Sequence, residues 1–341
     1  MASNRIRWGI LGVAKINERL IPGFKKASNA ELRAIASRSL ERAQQAAAAD
    51  GISAAHGSYE ALLDDPLIDA VYIPLPNHLH AEWTMKAAER GKHVLCEKPL
   101  ASDAAEAQRA VDFCRQKKVN LMEGFMWPHH PRTAKLRELL DAGAIGEVRR
   151  LTSSFTFQLD LEPKNIRLQG GMAGGSALDV GCYPVYGARW VFGAEPTRVF
   201  ASAEWQHDSS SPPYEGGAGG VDLAMNAVME FPDGRTALFD CGFTLPFRQW
   251  MEITGTEGKA WLEDMWLPAP RAVIRVQRGD KPVETIAVEG EDQIVHMIQN
   301  FSAAILEGRE ASPGPEQGVA TMKVLDALRQ SARAGRPVDM R

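Results

Sequence analysis

The chain has 341 residues, 45% of them apolar and 24% charged, and 39 Lys and Arg against 43 Asp and Glu leave a formal charge of -4. At roughly 150 residues per domain this length predicts two domains, and the balanced composition excludes a disordered or collagen-like chain. The near-neutral charge, with no dense Lys/Arg block, argues against a nucleic-acid partner. No apolar run reaches the ~18 residues of a membrane-spanning helix. The four scattered cysteines, Cys96, Cys114, Cys182 and Cys241, form no C-x-x-C pair, so neither a disulfide framework nor a zinc site is expected. The start MASNRIRWGILG shows no apolar export signal, which makes a cytoplasmic protein the expectation.

From Arg5 to about Glu123 short apolar runs alternate with amphipathic stretches, the pattern of strand-helix units in a doubly wound α/β domain. Strands are expected at Ile6–Leu11, Leu32–Ser37, Ala55–His56, Ala70–Pro74, His93–Cys96 and Val119–Met122. Helices are expected at Lys15–Lys25, Leu40–Ala49, Tyr59–Leu63, His80–Glu89 and Ala104–Lys117, the last with Asp103 and Glu106 as a capping box. After Trp127-Pro128 the rhythm changes, placing a domain boundary between 1–126 and 127–341. One more helix, Arg132–Asp141, precedes long alternating segments at Val148–Phe157, Thr197–Trp205, Val221–Phe231, Thr236–Phe243 and Trp250–Thr254, which read as antiparallel strands. In the third, Val221, Leu223, Met225, Ala227, Met229 and Phe231 share one face. The opposite face, Asp222, Ala224, Asn226, Val228 and Glu230, suits solvent or a second subunit. A Pro/Gly/Ser loop is expected over His207–Gly220, and two helices, Asp292–Leu306 and Pro315–Ala334, close the chain.

Strand Ile6–Leu11 runs into Gly12-Val13-Ala14-Lys15-Ile16-Asn17, where a dinucleotide fold carries its G-x-G-x-x-G turn before a helix N-terminus. Only the first glycine is present; Ala14 takes the second place and Asn17 the third. At the end of the second strand stands Ser37-Arg38-Ser39 rather than the carboxylate that binds an NAD ribose. A guanidinium between two hydroxyls suits a 2'-phosphate, so NADP(H) is favoured over NAD(H).

Two further clusters carry chemistry. Cys96-Glu97-Lys98-Pro99 ends the fifth strand, placing an ammonium and a carboxylate at the carboxyl edge where open α/β sheets bind ligands. Gly174-Gly175-Ser176-Ala177-Leu178-Asp179-Val180-Gly181-Cys182-Tyr183 puts a carboxylate and a phenol four residues apart, so a helical turn there sets both on one face. His129-His130 has neither H-x-x-x-H spacing nor a carboxylate cluster, so no metal is expected.

The order and spacing of Gly9-Ile-Leu-Gly12, Pro76-Asn77-His78-Leu79-His80, Glu97-Lys98-Pro99 and Gly175-Ser-Ala-Leu-Asp179-Val-Gly181-Cys-Tyr183 resemble the Gfo/Idh/MocA oxidoreductases over nearly the whole chain. The resemblance implies a dinucleotide-binding domain followed by an α+β domain with a large open, mainly antiparallel sheet that binds a small-molecule substrate and forms a homodimer. Many members of that family have histidine where Tyr183 stands. Tyrosine there, with Phe125-Met126-Trp127-Pro128-His129-His130-Pro131, resembles the branch that holds D-xylose 1-dehydrogenase and trans-dihydrodiol dehydrogenase. It implies catalysis by Lys98, Tyr183 and Asp179. It implies cofactor contacts from the Gly12–Ile16 turn, Ser37, Arg38, Ser39, Pro74, Asn77, His80, Glu97, Lys98 and Trp127, and substrate contacts from His78, Trp127, Phe155, Asp179 and Tyr183. The activity it implies is NADP-dependent oxidation of an aldose, D-xylose or D-glucose, at C1 to the lactone. The alternatives are oxidation of trans-1,2-dihydrobenzene-1,2-diol and a non-catalytic NADP(H)-binding regulator.

Overall fold

The computed structural model describes residues 4–162, 164–206, 220–290 and 292–340. They divide into two units: Met1–His129 with Asp292–Val319, and His130–Glu291 with Ala320–Arg341.

In the first unit, β1 (Ile6–Leu11), α1 (Asn17–Lys26), β2 (Ala30–Ala36), α2 (Leu40–Asp50), β3 (Ala54–His56), α3 (Tyr59–Leu63), β4 (Ala70–Ile73), α4 (His80–Glu89), β5 (His93–Cys96), α5 (Ala104–Lys117) and β6 (Leu121–Glu123) follow one another. The strands pair in parallel in the order β3-β2-β1-β4-β5-β6, the doubly wound order whose direction of growth reverses between β1 and β4. Every residue of β4 is buried, as a strand covered on both faces requires, and this is why it reads as an unbroken apolar run. Ser39, Ser58 and Asp103 each accept the backbone N–H three residues on, fixing where α2, α3 and α5 begin.

The second unit carries α6 (Pro131–Asp141), β7 (Val148–Gln158) and a π-helical turn (Ala177–Gly181) continuous with α7 (Cys182–Phe192). Strands β8 (Arg198–Trp205), β9 (Asp222–Glu230), β10 (Thr236–Gly242), β11 (Thr244–Arg248), β12 (Met251–Gly255), β13 (Gly258–Leu262), β14 (Arg271–Arg278) and β15 (Glu284–Glu289) follow. After α8 (Gln293–Leu306) and α9 (Glu316–Ala334) comes β16 (Val338–Asp339). The sheet order is β15-β14-β13-β12-β7-β10-β9-β8-β16, with β11 also on β7, and all its pairs are antiparallel except β10 with β7. The fold is therefore a parallel dinucleotide-type sheet plus a large, mostly antiparallel open sheet.

Three differences from the sequence expectation have physical causes. No strand was expected from 258 to 289, where β13, β14 and β15 lie; their charged outer residues leave few apolar positions in any one segment, though Ala272, Ile274 and Val276 alternate inward along β14. The segment 292–319, expected with the second domain, groups with the first. The reason is packing: the Trp8 ring lies between Phe24 and Phe301, and its Nε1 donates to Ser302 Oγ at 3.1 Å. In β9 the residues from Val221 to Phe231 at odd positions are all buried as expected, but Asp222, placed on the outer face, is buried as well. Of the expected loop at 207–220, residues 207–219 lie outside the described residues.

Candidate active site

The nucleotide turn is built by the first unit. Gly12 has φ +129°, outside the range of an L side chain, and a Cβ there would sit 3.2 Å from Leu75 Cδ2. Conformation and space both demand glycine at the first position of the motif. At the third position Asn17 is buried and donates from Nδ2 to the Gly12 carbonyl at 2.8 Å, so the turn is closed by a side chain where the usual motif uses close packing. The N–H groups of Asn17, Glu18 and Arg19 at the start of α1 donate to the Ala14, Lys15 and Ile16 carbonyls, so the helix begins on a tight turn at the place where a dinucleotide fold receives a pyrophosphate.

At the end of β2, Ser37 Oγ accepts Ser39 N–H at 3.3 Å and Ser39 Oγ accepts Arg42 N–H at 3.3 Å, so Ser39 caps α2 while Arg38 is exposed. Sequence reasoning missed Arg42. Its Nη2 donates to the Val13 carbonyl at 2.9 Å, bringing a second guanidinium to the glycine turn. The only signal for it was its place in the first turn of α2, three residues after the cap.

The loops after β4 and β5 are tied together by His80, whose buried ring meets the Leu75 and Pro99 carbonyls, each at 2.7 Å. A neutral imidazole donates through one nitrogen only, so both bonds are satisfied together only by the protonated ring. Burial nevertheless pushes its pKa down against the pull of the two carbonyls. Glu97 is buried and accepts Tyr72 OH at 2.6 Å, while Glu123 Oε1 accepts Leu100 N–H at 2.8 Å. Between these braces Lys98 is half-buried, with a cis bond to Pro99. Pro74 is buried, and Asn77 and His78 are half-buried. Trp127 is fully buried in a 3-10 turn packed by α8.

The two adjacent histidines have structural partners. His129 Nδ1 accepts from Asn300 Nδ2 at 3.2 Å, and burial, with His296 adding to it, pushes its pKa down to about 4. His130 caps α6 by accepting Arg132 N–H at 3.0 Å. Among the described residues no group of three or more His, Cys, Asp or Glu is placed to hold a metal ion.

Asp179, Tyr183 and Phe155 belong to the second unit. Tyr183 is buried in the first turn of α7, its ring edge-on to Phe155 with centroids 4.9 Å apart and 5.9 Å from Trp266. Trp266 is itself fixed by a 3.0 Å bond from Nε1 to the Ser154 carbonyl. Asp179, on the π turn, accepts Arg167 Nε at 2.7 Å. The Asp179 charge raises the Arg167 pKa above its ordinary value, and Tyr183 adds to the effect, so carboxylate, guanidinium and phenol act on one another. Neither Arg167 nor Trp266 was expected from sequence. Arg167 stands 12 residues before Asp179, in a short 3-10 turn with no motif to mark it, and Trp266 reaches the segment from a distant part of the chain.

A dinucleotide fits these residues: the Gly12 cradle is one that a side chain would fill, and His78 Nδ1 is buried with no hydrogen-bond partner among the described residues. Residues 6–125 match the family "Oxidoreductase family, NAD-binding Rossmann fold", and residues 133–261 match the "GFO/IDH/MocA C-terminal domain". The chain belongs to the Gfo/Idh/MocA oxidoreductases.

This Gfo/Idh/MocA oxidoreductase is 38% identical to D-xylose 1-dehydrogenase (NADP(+)) 2 of Haloferax volcanii over 98% of this chain and 99% of that one. It is 31% identical to the trans-1,2-dihydrobenzene-1,2-diol dehydrogenase of Xenopus tropicalis, covering 77% of each. The crystal structure of a 3-ketoreductase from Actinomadura kijaniata with NADP and TDP-benzene is similar at TM-score 0.87 and 33% identity, over 96% of this chain and 98% of that one. No described helix is long and apolar enough to cross a membrane.

Proposed function

We propose that this oxidoreductase is an NADP-dependent aldose dehydrogenase that oxidises D-xylose or D-glucose at C1 to the lactone, with Tyr183 as the acid/base group and Lys98 as its electrostatic partner. The observation that carries this reading is the Tyr183 segment: a buried phenol walled by Phe155 and Trp266, one turn from a carboxylate already paired with Arg167. Aromatic walls suit the apolar face of a sugar ring, and the polar pair suits its hydroxyls. The similarity to the Haloferax volcanii enzyme supports the substrate class.

When bound, the nicotinamide supplies the acceptor for the hydride that leaves the carbinol carbon. The residues handle the proton. Tyr183 Oη takes the proton of the reacting hydroxyl; an unperturbed phenol has a pKa of ~10, and the role proposed for the Lys98 ammonium is to lower it by stabilising the phenolate. Lys98 also donates to the reacting oxygen. Asp179, held by Arg167, accepts from the substrate's hydroxyls and sets the angle of approach. Gly12 to Ile16 hold the pyrophosphate, and Pro74, Asn77, His80, Glu97 and Trp127 form or brace the remaining cofactor contacts. His78 reaches substrate. Ser37, Arg38 and Ser39, joined by Arg42, hold the 2'-phosphate that separates NADP from NAD.

The open face of the large sheet supports a homodimer. Phe200 is 41% exposed there, beside Val228 and Leu238 on neighbouring strands, an apolar cluster that a second copy would cover.

The test is a steady-state panel of D-xylose, D-glucose, trans-1,2-dihydrobenzene-1,2-diol and a dTDP-3-keto sugar, each with NADP(H) and NAD(H). NADPH formation with an aldose, faster than with the diol, is expected. Turnover of only the diol or only the keto sugar would replace the aldose by that substrate, and tight NADPH binding without turnover of any would leave a regulator.

A further inference from the structure

Asp222 opens β9 where the pairing with β8 shifts register between Glu204 and Trp205, and it is 2% exposed although it belongs to the strand's outer set. Its Oδ2 accepts the Ala177 N–H at 2.6 Å and the Ser176 hydroxyl at 2.7 Å. A Cβ on Gly175 would overlap its Oδ1, and Gly175 has φ +109°. Three consecutive residues thus meet one carboxylate: the first by bare contact, the second by its hydroxyl, the third by its amide. Those three residues lead into the π turn that carries Asp179, and that turn is continuous with the first turn of α7, which carries Tyr183.

A buried carboxylate is costly, and burial raises the pKa of Asp222 against the bonds from Ser176, Ala177 and its own amide and against the Arg329 charge. A serine or aspartate within the segment itself would cap the helix at lower cost. What a local cap does not do is tie the start of a helix to a strand 45 residues further along the chain. A single π turn inside an α-helix is a recurrent feature of functional sites. It rotates the residues after it relative to a regular helix, so Tyr183 stands where it does only while the turn keeps its place.

We infer that Asp222 is a positioning residue for the proton-transfer step, locking the Gly175–Ser176–Ala177 turn to the sheet so that Asp179 and Tyr183 are delivered in register. The inference rests on the reading of Tyr183 as the acid/base group. Cys241 packs on the same underside: its Sγ lies 3.8 Å from Ser176 Oγ and 3.0 Å from where a Cβ on Gly181 would fall, so the turn cannot settle deeper if the carboxylate is lost.

The experiment compares Asp222→Ala, Asp222→Asn, Ser176→Ala and Tyr183→Phe. Turnover is read on the fastest substrate of the panel, and the protein is labelled with 13C at tyrosine Cζ so that each of its five tyrosines can be titrated by NMR. Tyr183→Phe identifies the Tyr183 resonance. Asp222→Ala is expected to lower kcat about 10- to 100-fold, the scale of a 1 Å misplacement. NADP affinity stays unchanged, and the Tyr183 resonance titrates at a displaced midpoint. Asp222→Asn keeps an oxygen for both donors and should restore most of the turnover. If Asp222→Ala does not fold, Ser176→Ala, which removes one bond, should show the same pattern several-fold weaker. Variants that melt earlier but keep the wild-type kcat and the wild-type Tyr183 titration would overturn the positioning role. Full turnover by Tyr183→Phe would overturn the acid/base reading instead, and the two results are distinguishable.

Discussion

The nucleotide turn and the Tyr183 segment are both glycine-bearing turns that lead into a helix, yet they are held in opposite ways. The turn at Gly12 is closed by its own neighbour Asn17 and by Leu75 from the adjacent strand's loop. The turn at Gly175 is closed by Asp222, 47 positions on, and the tyrosine beyond it is walled by Trp266, later still. The first is a local device, proposed to hold a cofactor group through backbone. The second is assembled from remote parts of a sheet, and it is where we propose that substrate chemistry is selected.

That contrast can be broken or sharpened by measurement. The largest effect is expected from Tyr183→Phe, with turnover down roughly 100-fold or more, the scale of a lost general acid/base, and NADP affinity unchanged in a direct titration. A parallel loss of cofactor binding would show that the two regions do not act separately. Next comes Gly12→Ala, which forces an L residue to φ +129° beside Leu75; a loss of about 1–3 kcal/mol in chemical denaturation is expected, together with weaker NADP binding. An unchanged denaturation midpoint would mean the turn relaxes freely.

Arg38→Ala should weaken NADP by about tenfold while leaving NAD nearly untouched, as expected of a lost charge-assisted bond to phosphate. Equal weakening of both would remove 2'-phosphate recognition from that residue. The last effect is a slope. His129 titrates near 4 in the folded protein and near ~6.5 unfolded, so between those values the unfolded chain binds the proton first and stability falls as pH falls, by up to about 1.4 kcal/mol per pH unit. Above ~6.5 both states are neutral and the effect vanishes. His129→Asn should flatten the acid limb of a stability profile; a limb as steep as wild type would assign it to other groups, His80 among them.

The first unit was legible because parallel strands covered on both faces are continuous apolar runs, and because serine and aspartate caps announce the helices between them. Asp179 and Tyr183 were expected on one helical turn, but Asp179 lies on a π turn and Tyr183 in the first turn of α7, a change of helix type that four-residue spacing does not mark. Arg167, Trp266 and Asp222 were not legible. Trp266 and Asp222 act through contacts that depend on how strands far apart in the chain are ordered in the sheet, and a single sequence carries no mark of that order; Arg167 acts from an irregular 3-10 turn 12 residues before Asp179, which has no periodic pattern to mark it. Asp222 was actively misleading: strand alternation puts it outside, and only the register shift beside Trp205 and the turn packed over it explain its burial. The strands between 258 and 289 were lost because each run is short and Trp261, Val273 and Ala287 at outer positions blur the alternation.

The core of the first unit is completed by residues almost three hundred positions after it begins, with Phe301 against Trp8 and Ser302 on the indole nitrogen. During synthesis the nascent polypeptide therefore emerges with a sheet whose last covering helix is still inside the ribosome. Until those residues emerge an apolar patch around that indole has nothing of its own chain to close over it, and a fragment cut before Asp292 would stay permanently at that vulnerable stage.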